Sequence, residues 1–127
     1  MSKESLFLIV AALGLTPIAL AYGLVPEAMA PMLYGIDIDS VNLAHIFRAL
    51  MGLYLAMVVF WILGANRDVL RFPALCSVAV FMAGLAVGRL LSLILDGMPE
   101  PLLVVYLALE VGFALVALQL ARASRTE

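Results

Sequence analysis

The chain has 127 residues, of which 66% are hydrophobic and 13% charged, with a formal net charge of −2. A soluble domain is typically about half apolar and a quarter charged, so this composition is that of a membrane protein. The small net charge and the lack of a basic stripe argue against nucleic acid as a partner, and the single cysteine, Cys76, excludes an internal disulfide or a cysteine-rich metal site.

A helix needs roughly 20 apolar residues to cross a bilayer. Residues 6–25 form the first such run, and Thr16-Pro17 at its middle predicts a kink, because proline removes one backbone hydrogen bond and crowds the preceding turn. Ala28-Met29-Ala30 beyond it has the small-residue character of a signal-peptide cleavage site. The run is longer than the ~7–15 residues of a signal core and is flanked by Lys3 alone, so a retained helix is expected. Residues 26–40, PEAMAPMLYGIDIDS, are partly apolar and read as a loop along the membrane surface.

The second apolar run covers 41–65, with Asp39 or Ser40 as its cap; the third covers 74–95, with Pro73 suited to its first turn. The fourth covers 101–120 and opens on Pro101. The connections NRDVLRFP (66–73) and DGMPEP (96–101) are short enough to force antiparallel neighbours. The expected fold is therefore all-α, an antiparallel four-helix transmembrane bundle forming a single transmembrane domain over residues 1–127. With four spans, both termini share a side with Lys3, Arg67, Arg71, Arg122 and Arg125, while the opposite loops carry Glu27, Asp37, Asp39, Asp96 and Glu100. Cytoplasmic loops are enriched in Lys and Arg, so both termini are expected in the cytoplasm.

Two charges sit inside the apolar runs. Arg89 lies about 10 Å below the outer end of the third span, and Glu110 about 14 Å below the same surface, at 1.5 Å per helical residue. The spans are joined by a short turn, so a buried Arg89–Glu110 ion pair is geometrically natural. Unpaired, either charge costs at least ~2.5–3 kcal/mol at mid-membrane on insertion scales. The same half gathers His45 and Arg48 on one face of the second span, Arg89, Ser92 and Asp96 on one face of the third, Tyr106 a turn from Glu110, and Tyr22 at the end of the first.

Two readings of this cluster stand side by side. In one, Arg89–Glu110 and an Arg48–Asp96 pair only fix helix register, and His45 is a satisfied interfacial histidine. In the other, His45, Arg48, Arg89, Ser92, Asp96, Tyr106 and Glu110 line a binding site open to the outer leaflet, for intramembrane ionisable residues are functional candidates by default. Two arginines in a cavity suit an anionic headgroup, and an apolar bundle suits a lipophilic one. Gly84, Gly88 and Ser92, with Gly112 on the fourth span, form small-residue faces that let helices approach closely, within the chain, in a homo-oligomer or in a larger complex. The expected partners are membrane lipids. No metal and no cofactor is expected: His45 is the only histidine, and GLAVG (84–88) neither follows a strand nor precedes a phosphate-loop lysine.

The stretches GRLLSLILDGMPEP (88–101), RALMGLYLA (48–56) and YLALEVGF (106–113) resemble a family of small bacterial four-helix membrane proteins known as a domain of unknown function. The Arg-x-x-Ser-x-x-x-Asp-Gly-x-Pro spacing, here Arg89, Ser92, Asp96, Gly97 and Pro99, is its most specific part, and the layout is similar to that of DoxX-type proteins. The resemblance implies fold and membrane residence, the expected location being a bacterial inner membrane, and assigns no catalytic residue. The function expected is non-enzymatic: an accessory or scaffold subunit, or a binder of a small lipophilic or anionic ligand at the polar cluster. The alternative is a small membrane enzyme or proton-coupled carrier with Glu110 as its titrating group.

Overall fold

The computed structural model describes residues 1–125, and five helices account for nearly all of them: α1 (Lys3–Gly23), α2 (Pro26–Tyr34), α3 (Val41–Asn66), α4 (Asp68–Leu95) and α5 (Pro101–Arg125). Four of these, α1, α3, α4 and α5, are long and apolar enough to cross a membrane. They form a bundle in which α1 packs chiefly on α3, α3 on α4, and α4 on α5, while α1 touches α4 and α5 only lightly. The light contact leaves room between α1 and the α4–α5 pair.

The helix ends follow local chemistry. Ser2 caps α1 by accepting from the Ser5 amide at 3.1 Å, and Ser40 caps α3 by accepting from the Leu43 amide at 3.1 Å. The expectation of a connection over 66–73 is corrected: a single extended residue, Arg67, separates α3 from α4. Helix α4 begins at Asp68 because its acidic first turn suits the helix dipole, and Arg71 one turn on ion-pairs with Asp68 at 2.6 Å. The same Arg71 donates to the Ala65 carbonyl at 3.0 Å, which also accepts from the Ser5 hydroxyl at 2.9 Å. An otherwise orphaned carbonyl at the end of α3 is thereby satisfied. Pro73 thus lies inside α4 rather than at its start.

Residues 26–34, expected to be loop, form helix α2. Pro26 sits at its first position and Gly35, at φ 67°, ends it in the left-handed region that favours glycine. Pro26, Ala30 and Tyr34, spaced one turn apart, are its buried face, which folds α2 over the end of the bundle opposite the termini, against α1, α3 and α5.

Helices α3 and α4 approach closely near the end of the bundle that holds the termini. Trp61 is fully enclosed and donates its indole N–H to the Ser77 hydroxyl at 2.9 Å. Next to it, a Cβ on Gly64 would lie 2.3 Å from the Ala74 Cβ and 3.2 Å from the Leu70 carbonyl oxygen. Only glycine permits α3 and α4 to approach so closely. By contrast, Gly84 and Gly88 have open space where a Cβ would point, so the chain's own helices do not use this face of α4 for packing.

We expect Gly64→Ala to destabilise the protein by about 1–3 kcal/mol through overpacking. Gly84→Ala is expected to be neutral, or stabilising by up to ~1 kcal/mol from helix propensity alone. Reversible unfolding in detergent checks both; equal effects at the two positions would contradict the packing described.

Candidate ligand site around Arg89 and Glu110

Helices α4 and α5 turn back on each other through residues 96–100, which brings Arg89 and Glu110 to one level. The Arg89 Nε–H donates to both Glu110 carboxylate oxygens, to Oε2 at 3.0 Å. Glu110 is the only charged residue buried among the described residues. Isolated ions cannot persist in an apolar interior, so the contact is what makes either side chain tolerable there.

An aromatic shell surrounds the pair. Arg89 Nη2 reaches the Tyr22 hydroxyl at 3.5 Å, and the guanidinium carbon stands 5.7 Å from the centre of the Tyr106 ring, within the range of a cation–π contact. Tyr22 stacks on Tyr34 at 5.2 Å and meets Tyr54 edge-on at 5.5 Å. The Tyr34 and Tyr106 hydroxyls share a hydrogen bond of 2.9 Å. The chain contains four tyrosines, and all four belong to this cluster. Tyr34 arrives from α2, outside the membrane-spanning helices; burial first, and then its bond to Tyr106, push its phenol far above the ordinary tyrosine value, so it stays protonated.

Two cavities meet at this cluster, with Tyr54, Leu85 and Arg89 lining both. The smaller, about 60 Å³, fills the room between α1 and the α4–α5 pair, with Gly14 and Phe113 in its wall and Glu110 at its polar end. The larger, about 390 Å³, is an open cleft along α3, α4 and α5 that includes Tyr22, Gly84, Gly88 and Ser92. Its size falls within the ~300–1,000 Å³ typical of small-molecule sites.

The other polar residues lie elsewhere or have other partners. Arg48 does not pair with Asp96: its Nη1 donates to the Gly23 carbonyl at 2.8 Å and the Leu24 carbonyl at 3.5 Å, with Glu27 at 4.0 Å. A cation at the carbonyl end of α1 complements the helix dipole, and α1 has no basic residue in its own last turn. Asp96 instead accepts from the Ser92 hydroxyl at 2.7 Å, on the exposed rim of the cleft. His45 is exposed on α3, and no hydrogen bond or ion pair engages it among the described residues. Gly112 faces outward with open space beside it. Among the described residues, no group of three His, Cys, Asp or Glu side chains converges as a metal would require.

Truncating one member of the ion pair is expected to cost more than removing both. Glu110→Leu or Arg89→Met alone should destabilise by roughly 3–5 kcal/mol, whereas the double variant should lose far less, since no unpaired charge remains. A double-mutant cycle measured by unfolding in detergent checks this; additive losses would contradict it.

No curated protein matches the chain, and no solved structure matches it. Residues 4–121 match the family model described as a domain of unknown function, DUF4345. This reaches into all four long helices and includes both members of the ion pair, and the chain belongs to that family.

Proposed function

We propose that this small multi-pass membrane protein binds a small lipophilic molecule, with its polar end at Arg89 and its apolar body in the cleft along α3, α4 and α5. The observation that carries this reading is the position of Arg89. It lines both cavities, keeps 22% of its side chain accessible, and commits Nε to Glu110 and Nη2 to Tyr22, while no hydrogen bond engages Nη1 among the described residues. A hydrogen-bond donor left open at membrane depth invites an acceptor, because nothing in the hydrocarbon around it can supply one.

Several observations favour this over the rival readings. A carrier or enzyme using Glu110 as its titrating group would need that carboxylate free, but both its oxygens already accept from Arg89. An accessory or scaffold role finds support in the outward-facing Gly52, Gly84, Gly88 and Gly112, which leave faces where a second helix could approach closely. The same Gly84 and Gly88 line the cleft, however, so a ligand accounts for them as well.

Native mass spectrometry of the protein released from lipid tests the proposal. Wild type should retain a small lipophilic molecule, Gly88→Leu should lose it by about tenfold or more in occupancy (~1.4 kcal/mol), and Gly112→Leu, outside both cavities, should keep it. Equal retention in all three, or none in any, would contradict the reading; a chain isolated only within a larger assembly would favour the scaffold role.

The cation distribution supports an inner-membrane orientation with both termini cytoplasmic: Lys3, Arg67, Arg71, Arg122 and Arg125 lie at one end of the bundle. In a Cys76→Ala background, a cysteine in place of Asp37 should react with an impermeant maleimide from the extracytoplasmic side, and one in place of Arg67 should not. The reverse pattern would refute the orientation.

A further inference from the structure

We infer that the polar end of the ligand is uncharged and carries a carbonyl-type acceptor, and that Glu110 sets this preference; the inference rests on the binding role proposed above. Its basis is the charge balance of the cleft. Arg89 is the cation of the site, and Glu110 already neutralises it through both carboxylate oxygens. Among the described residues, no second cation lines either cavity. Arg48 is held by the Gly23 and Leu24 carbonyls, and the remaining lysine and arginines lie at the opposite end of the bundle. The near rim adds negative charge: Asp96 sits one turn beyond Ser92, itself part of the cleft wall, with Glu27, Asp37, Asp39 and Glu100 around the same end.

A carboxylate or phosphate entering this cleft would leave an uncompensated negative charge at membrane depth, close to Glu110. Burying such a charge without a partner is among the most unfavourable steps a protein interior can take. A neutral carbonyl oxygen instead accepts a charge-assisted hydrogen bond from Arg89 Nη1 and leaves the balance at zero. Tyr22 and Tyr54 give the same end of the cleft aromatic walls that an uncharged group can lie against.

A long-chain fatty acid and its methyl ester share a tail and differ in head charge, so they serve as probes. Competed for the protein in nanodiscs of zwitterionic lipid, at alkaline pH where the acid is ionised, the ester should be retained over the acid by about tenfold or more. Glu110→Gln, which removes the neutralising charge but keeps the shape, should move the preference toward the acid by a similar factor. A wild-type preference for the acid that Gly88→Leu abolishes would overturn this inference and leave the binding role standing. Binding of neither probe would overturn both. A preference unchanged in Glu110→Gln would show that Glu110 does not set it, and if that variant fails to accumulate, the wild-type comparison decides alone.

Discussion

A guanidinium and a carboxylate are the two groups that hydrocarbon tolerates least, and this bundle keeps one of each inside its apolar helices. The cost of either charge alone, ~2.5–3.5 kcal/mol on insertion scales and more by other measures, is a large part of the stability of any small protein. The chain meets that cost by placing Arg89 and Glu110 on helices joined by a five-residue turn, so the pair closes whenever α4 and α5 pack. Register between these two helices is thereby fixed at one level of the membrane. The same contact sets the electrostatic character of the cleft beside it.

Around this pair the two halves of the bundle are built differently. Toward the termini α3 and α4 approach closely, with Gly64 against Ala74 and Trp61 bonded to Ser77. The opposite end is held by tyrosines, whose hydroxyls can bond to one another and to Arg89 while their rings stay apolar. Helix α2 completes it by bringing Tyr34 down onto Tyr106, and Arg48 secures the turn from α1 into α2 by capping the carbonyls that α1 leaves open. Two cavities open next to Arg89, beside the tyrosine cluster.

Much of this architecture is legible in the sequence, and for definite reasons. Four runs of apolar residues identify four spanning helices because bilayer thickness fixes the length required. Arg89 and Glu110 can be matched because a short turn and a fixed rise per residue convert sequence distance into depth. The start of α4 is not legible in this way, since NRDVLRFP looks like a polar connection until Asp68 and Arg71 are seen serving the ends of two helices. Arg48 misleads for a similar reason: its partners are backbone carbonyls of α1, which carry no sequence signature. Tyr34 and Tyr54 escape attention because a tyrosine within an apolar stretch reads as filler. A faint signal exists in the seven-residue spacing of Phe47, Tyr54 and Trp61, which marks the buried face of α3, and in the one-turn spacing of Pro26, Ala30 and Tyr34.

The claim on which the rest stands is that Arg89 and Glu110 are in contact when the protein sits in a bilayer. Solid-state NMR on protein carrying nitrogen-15 arginine and carbon-13 glutamate, reconstituted in lipid, measures this through the dipolar coupling between the two side chains. A strong coupling is expected, consistent with the 3.0 Å contact from Nε to Oε2, and it should vanish in Glu110→Gln. A spectrum without such coupling, the two side chains standing apart in the membrane, would contradict it.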